Sequence, residues 1–246
     1  MTIRTKINSS LIKAGNGIYY ITDLSIQLPK TLNIKGKKYY GFCDFILIPT
    51  RIDKLSKKQV VTVNSIREKY IDIHPQFSKN NNIRKLFKAI IKEFKPKTIL
   101  EIGPGKNPLN TIRENTYLAD FDKGTIDFLK NRGENCQFFG KNSTLRIPDN
   151  SIELIFAIFV FQFDISSKQI NELSRTISSK GILVANIYKR SEQSKRALLK
   201  QFHRAGFKHA SFQISELFNG HEFWIFFKSI SKNKLESIKG ILNLNP

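Results

Sequence analysis

Lys97-Thr98-Ile99-Leu100-Glu101-Ile102-Gly103-Pro104-Gly105-Lys106-Asn107-Pro108-Leu109 is the stretch whose reading decides the fold. An apolar run ends in an acidic residue, and two glycines one residue apart follow at once. A buried strand emptying into a tight turn has this pattern. A Cβ at either glycine would hinder a positive φ angle and the close approach of a ligand to the backbone. In doubly wound α/β folds such a turn lies at the carboxyl end of the first strand, where nucleotide-like ligands bind.

On the amino-terminal side, Ile83, Leu86, Phe87, Ile90, Ile91 and Phe94 recur at helical spacing and predict an amphipathic helix feeding that strand. On the other side, strands and helices alternate. Strands are expected over Thr98–Ile102, Thr116–Phe121, Cys136–Phe139, Ile152–Phe161, Ile182–Ile187, Ala210–Ile214 and Glu222–Phe227. Helices are expected over Lys123–Asn131, Ser167–Ser178 and Ser191–Ala205, closed by Gly133, Lys180-Gly181 and Gly206. Such alternation means a mostly parallel sheet covered on both faces. The last two strands, joined by a turn at Asn219-Gly220, read as an antiparallel hairpin at one edge.

The first 75 residues read as strands instead: Gly17–Ile21, Leu24–Leu28, and Tyr39–Ile48 ended by Pro49, with a turn region at Asn33–Lys37. Ser78–Asn82 is polar and reads as a linker. The expected organisation is a small, basic, β-rich lobe over residues 1–77 and an α/β domain over 78–246. That domain is a doubly wound, mostly parallel seven-stranded sheet with a carboxyl-terminal antiparallel hairpin.

Composition narrows the class. The chain has 246 residues, 40% of them hydrophobic and 25% charged, which is ordinary for a globular protein. No apolar run approaches the roughly 20 residues that span a bilayer, and Met1–Ser10 lacks the apolar core of a signal peptide. Two cysteines, Cys43 and Cys136, without metal-ligand spacing argue against a disulfide framework or a zinc site. A reduced, cytoplasmic setting is expected. The net charge is +21, and its excess is uneven: +14 falls in residues 1–97 and +7 in the rest. Lys (30) far outnumbers Arg (11), so two readings stand open. One is a compositional bias toward lysine; the other is a surface for an anionic partner, small molecule or nucleic acid.

The order of elements over residues 83–228 resembles a class I S-adenosylmethionine (SAM)-dependent methyltransferase of the type 11-like group. Glu101, Gly103 and Gly105 match the family's acidic residue followed by Gly-x-Gly. Asp120 ends the second strand nineteen positions after Glu101, where the family places the acid that accepts from both ribose hydroxyls. Leu145–Ile152, with Pro148, resembles the proline-containing loop before the fourth strand, and Ala205-Gly206-Phe207 a late element. The resemblance implies SAM as cofactor, with contacts at Glu101, Gly103, Pro104, Gly105, Asp120, Phe121, Asn142 and Ala157, and no metal. Two departures stand out. Asn107-Pro108 replaces a third glycine and suits a short helix over Leu109–Asn115. Lys141-Asn142 stands where an acid often accepts from the adenine amino group; of the two, only the Asn142 side-chain oxygen is an acceptor.

The resemblance implies methyl transfer, but no general base stands out among His74, His203, His209 and His221. His221-Glu222, at the terminal turn, and Tyr188, after the fifth strand, are candidates for handling the acceptor. Ala157-Ile158-Phe159-Val160-Phe161-Gln162-Phe163-Asp164 has neither the Asp/Asn-Pro-Pro-aromatic loop of amino-methylating nucleic-acid enzymes nor the cysteine of pyrimidine C5 methylation. Phe159, Phe161 and Phe163 fit either an acceptor pocket or the core, and Asp164 suits a helix cap. A small-molecule or glycan-type acceptor is therefore placed ahead of RNA. A non-catalytic protein of the same fold and an NAD-dependent oxidoreductase are the remaining alternatives, the latter disfavoured by Pro108 and the terminal hairpin.

Overall fold

A computed structural model describes residues 7, 9–23, 25–70, 76–109, 115–213 and 221–243. The chain divides into two units, Met1–Asn81 and Asn82–Pro246.

The first unit is built on five short antiparallel strands: β1 (Leu11–Gly15), β2 (Ile18–Ile21), β3 (Thr31–Ile34), β4 (Lys37–Phe42) and β5 (Ile46–Ile48). They lie in the order β1-β2-β5-β4-β3. The single strand expected over Tyr39–Ile48 is a hairpin. Cys43 and Asp44, at φ 54° and 58°, reverse the chain without the Gly, Pro or Asn that would announce a turn. The strand expected at Leu24–Leu28 is absent over residues 25–28, and Leu24 lies outside the described residues. A helix the strand reading missed, α1 (Lys57–Tyr70), buries Val60, Val63 and Ile66 at every third position. It is tied to the β1–β2 turn by Asn16, whose Nδ2 donates to Thr62 Oγ1 at 2.8 Å and whose carbonyl accepts from Gln59 Nε2 at 3.1 Å.

Helix α2 (Gln76–Phe94) carries the chain into the second unit, so the expected linker at Ser78–Asn82 is helical instead. Low helix propensity in an Asn-rich stretch is a weak prior against extension of a helix whose later turns are packed. There follow β6 (Ile99–Ile102), β7 (Thr116–Asp120), α3 (Lys123–Asn131), β8 (Cys136–Phe138) and β9 (Ile152–Ala157). Then come α4 (Ser167–Thr176), β10 (Ile177–Ile187), α5 (Glu192–Arg204), β11 (Lys208–Gln213), β12 (Glu222–Phe227) and α6 (Lys232–Asn243). The seven strands lie in the order β11-β12-β10-β9-β6-β7-β8. Pairing is parallel from β10 through β8, and β12 is antiparallel to both β10 and β11. This is the doubly wound sheet with a terminal antiparallel pair that the alternation predicted. The Asn219-Gly220 turn lies outside the described residues, and α6 had not been anticipated.

Alternation along the central strands explains why helices cover both faces. Leu100, Ile102, Ile155, Ala157, Leu183 and Ala185 pack with Ile170 and Leu173 of α4 and Leu198 and Phe202 of α5. The intervening residues Ile99, Leu154, Phe156, Ile182 and Val184 pack with Ile83, Leu86, Phe87 and Ile90 of α2 and Ile238 and Leu242 of α6. Strands buried on both faces read as unbroken apolar runs, which is why they were legible. One boundary differs: Lys180-Gly181 does not end a helix but lies inside β10. There the register against β9 shifts between Ile177 and Ile182, and a Cβ at Gly181 would stand 2.7 Å from the Ile152 carbonyl oxygen. Glycine permits that close passage. Among the described residues no helix is long and apolar enough to cross a membrane.

Candidate functional site

The strand order reverses between β6 and β9, the switch point at whose carboxyl side open α/β sheets bind ligands. The glycine turn leaves β6 at this point. Gly103 and Gly105 take φ of 65° and 59°. The Gly103 N–H donates to the Ala119 carbonyl at 2.8 Å, carrying the ladder one residue past the strand. A Cβ on Gly103 would lie 2.6 Å from Val160 Cγ2, whereas one on Gly105 would meet nothing within 4 Å. Gly103 is therefore required by packing, and Gly105 faces open space.

Two buried carboxylates fasten this turn. Glu101, 1% exposed, accepts the Leu109 N–H at 3.1 and 2.8 Å on its two oxygens and so closes the loop after the glycines. Arg84 donates to the Asn107 carbonyl at 2.8 Å and Arg132 to the Lys106 carbonyl at 3.3 Å. Burial pulls the Arg84 pKa down, and the Glu101 charge opposes the shift. Residues 105–109 form turns without helix, and 110–114 of the expected short helix lie outside the described residues. Asp120, at the end of β7, accepts from the Asp122 N–H at 2.9 Å and the Gly105 N–H at 3.4 Å. Burial pushes its pKa up to about 6 against those backbone hydrogen bonds. Asp122 in turn caps α3, accepting from the Thr125 N–H at 3.2 Å.

Of the expected cofactor residues, Glu101, Gly103, Gly105 and Asp120 thus come together at one turn, with Gly105 and Asp120 hydrogen-bonded to each other. Ala157 is fully buried beside them, paired in register with Ile102. Pro104 is buried, Phe121 half-buried and Asn142 exposed. Asn142 lies in a pinned loop: Ser166 Oγ donates to the Lys141 carbonyl at 2.8 Å and Gln169 Nε2 to the Phe139 carbonyl at 2.9 Å. Ser166, not Asp164, caps α4, in a capping box with Gln169. A serine at this position reaches the N3 amide directly, and Asp164 sits 3.5 Å from Lys141 instead.

A second cluster, which the sequence disclosed only in part, stands at the same end of the sheet over β9, β10 and β12. Phe159 takes a left-handed φ of 60° in the turn after β9. Its N–H donates to Asn186 Oδ1 at 2.7 Å. Asn186, fully buried in β10, brings Nδ2 to 3.0 Å from His221 Nδ1. The His221 ring stacks on Tyr188 at 4.1 Å and 5°, with Phe159 edge-on at 5.6 Å. Arg190 holds the same turn by donating to the carbonyls of Phe161 and Phe163 at 2.8 and 2.7 Å. Phe161 and Phe163 are buried, Phe161 against Phe202, so they fill the core. Gln162 between them keeps its side-chain nitrogen buried without a hydrogen-bond partner among the described residues.

Sequence reasoning singled out His221 and Tyr188 but missed Asn186. Its signal was one polar residue in the otherwise apolar Ile182–Ile187 strand. His203 and His209 pair with each other at 2.9 Å. His209 is in register with Phe226, which is in register with Leu183 near the start of the apolar part of β10, away from the glycine turn. His74 lies outside the described residues. Burial pushes the Cys136 thiol up to about 12, so it is not a nucleophile at neutral pH. Among the described residues no group of three or more His, Cys, Asp or Glu could hold a metal ion.

No protein-family model and no curated protein matches the chain. Several solved structures are similar in fold. A TehB-like SAM-dependent methyltransferase from Corynebacterium glutamicum is 13% identical, covers 69% of this chain and 97% of its own, and has a TM-score of 0.49. A SAM-dependent methyltransferase from Thermotoga maritima is 13% identical, with 68% and 96% covered and a TM-score of 0.48. One from Aquifex aeolicus is 17% identical, with 56% and 87% covered and a TM-score of 0.43.

Proposed function

We propose that the second unit is a SAM-dependent methyltransferase. The observation that carries this reading is the Asp120 carboxylate, buried at the end of β7 and hydrogen-bonded to the Gly105 N–H, beside a glycine that faces open space. A buried acceptor-only carboxylate suits a vicinal diol, which offers two hydroxyl donors. Room above Gly105 suits close approach of a ligand to the backbone. The residues present therefore fit SAM: Asp120 for the ribose hydroxyls, the Gly103–Gly105 backbone and Pro104 for the part approaching the turn, Phe121 for apolar contact, and the Asn142 side-chain oxygen for the adenine amino group, while Ala157, fully buried beside Ile102, packs beneath the turn. Glu101 acts one step back, by holding Leu109 and the loop. SAM supplies an electrophilic methyl group. Transfer is an in-line displacement, so the work of this chain is to hold donor and acceptor in line and keep water out.

For the acceptor, a small molecule or glycan-type metabolite is favoured, because the turn after β9 carries neither the prolines nor the cysteine of base-modifying enzymes. The exposed Lys30, Lys35, Lys37, Lys38, Lys57 and Lys58 of the first unit favour RNA as the second reading. If RNA binds there, its affinity falls steeply with salt, and a flat log–log plot removes that reading.

Equilibrium titration of the full chain with labelled SAM tests the main proposal. Saturable binding that is lost in Asp120→Ala is expected. Absence of binding at millimolar SAM overturns the enzyme and leaves a non-catalytic protein of the same fold.

A further inference from the structure

Phe159 stands at φ 60°, and among the described non-glycine residues with positive φ it is the only aromatic one. A bulky side chain disfavours that left-handed geometry, so something in the fold must hold it. The Phe159 N–H donates at 2.7 Å to Oδ1 of Asn186, a side chain fully buried in β10. Asn186 is fixed in turn at its other end, where Nδ2 meets His221 Nδ1 at 3.0 Å. Beyond Phe159 the chain closes a tight turn of its own. The Phe163 N–H donates to the Val160 carbonyl at 3.0 Å, and Arg190 donates to the carbonyls of Phe161 and Phe163. Phe159 is therefore the joint at which β9 gives this turn its direction.

Val160 is what that direction places. Its Cγ2 lies 2.6 Å from where a Cβ on Gly103 would stand, so the methyl fills the place of the missing side chain. Residues 103 and 105 have no side chains to hold them, and their shape depends on outside contacts. The Gly103 N–H is tied to the Ala119 carbonyl at 2.8 Å. The Gly105 N–H makes a long bond, 3.4 Å, to the same Asp120 carboxylate that a diol would engage. Glu101, Arg84 and Arg132 hold the stretch from Lys106 to Leu109. Val160 thus buttresses the turn at Gly103, while the space at Gly105 stays open.

We propose that Asn186 is a positioning residue for the methyl donor: it holds Phe159 left-handed, Phe159 seats Val160 on Gly103, and Val160 keeps the glycine turn in the shape that binds SAM. This rests on the methyltransferase reading above. Without the Asn186 bond, the left-handed form of a phenylalanine is the minor one, on the order of one molecule in ten. A ligand that needs the minor form binds more weakly by that fraction. Asn186 touches no ligand in this scheme; it acts by pre-organising the turn that does.

The test is titration of labelled SAM into the folded full chain, joined to NMR of the ligand-free protein. Asn186→Ala is expected to weaken SAM binding about tenfold. Asn186→Asp keeps an oxygen for the Phe159 N–H and is expected to stay within about twofold of the wild type. Phe159→Gly removes the need for a holder, because glycine takes positive φ as readily as negative. In that background N186A should cost only about twofold. A general loosening of the fold would cost the same in both backgrounds. Val160→Ala leaves Asn186 and its bonds in place, stays readable if N186A does not fold, and should weaken SAM about threefold. Before SAM is added, the NOE between the Val160 methyls and the Gly103 α-protons should be present in the wild type and N186D and lost in N186A. Unchanged SAM affinity in N186A or V160A, an equal cost of N186A with and without F159G, or an NOE that survives in N186A overturns the proposal. Absence of SAM binding to the wild type overturns the methyltransferase reading and this proposal with it. Wild-type binding with silent variants overturns this proposal alone.

Discussion

The turn after β6 and the turn after β9 leave adjacent strands at the same end of the sheet, yet they are fastened differently. The first is held partly by its own neighbourhood, although Arg84 and Arg132 also reach its carbonyls across 23 and 26 residues. Glu101 reaches Leu109, eight residues on, and Asp120 reaches back fifteen residues to Gly105. The second is held from a distance: Asn186 is 27 residues from Phe159, Arg190 is 29 from Phe161, and His221 is 35 from Asn186. A turn hung on β10 and on the residue before β12 takes its shape from them, so changes in either reach this turn first.

The largest break in this comparison is expected at Asn186. Asn186→Ala strips the acceptor from the Phe159 N–H and the donor from His221 Nδ1, removing two hydrogen bonds of one buried side chain in one step. A loss of about 3 kcal/mol follows from the two bonds together with the truncation of a buried side chain. Chemical denaturation followed by Trp224 fluorescence reads it, since Trp224 sits in the neighbouring strand β12. Glu101→Ala, the matching truncation in the other turn, removes the carboxylate that accepts the Leu109 N–H and should cost about 2 kcal/mol. Equal losses in the two variants would mean that distance along the chain makes no difference to how the turns are held.

The same contrast explains what the sequence disclosed. Glu101, Gly103, Gly105 and Asp120 lie within twenty residues, and each follows from what a strand end and a tight turn require. Local chemistry is written locally. Asn186 has meaning only once β9 and β12 flank β10, because its partners are supplied by pairing and not by spacing. Hence a lone polar residue in an apolar run was passed over, while His221 was noticed without its partner Asn186. In the first unit the failures have two causes. The turn at Cys43-Asp44 uses positive φ angles on two residues, of which only Asp44 is a usual turn former. Helix α1 buries only Val60, Val63 and Ile66 of its 14 residues, a stripe too narrow to stand out among exposed lysines.

A middle-sized effect separates the two glycines. Gly103→Ala places a methyl group 2.6 Å from Val160 Cγ2 and puts a side chain at a φ of 65°. Strain and overlap together should cost about 2 kcal/mol of stability. Gly105→Ala carries only the conformational cost, about 1 kcal/mol, because nothing lies within 4 Å. Its larger effect should be on SAM binding, since the methyl enters the space the ligand needs. Adding Val160→Ala should restore part of the stability of G103A and none of the affinity of G105A. That outcome would place the contact between the two turns at Gly103–Val160, and full additivity in the double variant would deny it.

The last expected effect is on pH dependence, and it belongs to the glycine turn. Burial raises the Asp120 pKa from 3.8 to about 6. For the protein without ligand, a raised carboxyl pKa contributes stability that is present below the unfolded value and is lost as pH rises through about 6. Diol binding runs the other way, because hydroxyl donors favour the ionised carboxylate. SAM affinity should therefore rise with pH up to about 6 and level off above it, falling about tenfold for each unit below that point. Isothermal titration between pH 5 and 8 in buffers of different ionisation enthalpy would register proton release on binding at the acid end. Asp120→Asn should bind more weakly and with a flat profile. In contrast, N186A should keep the wild-type midpoint while losing stability, because Asn186 and His221 fasten the turn after β9 and Asp120 the turn after β6. A shifted midpoint in N186A would show that the two turns titrate as one site, and the division between local and remote fastening would then be wrong.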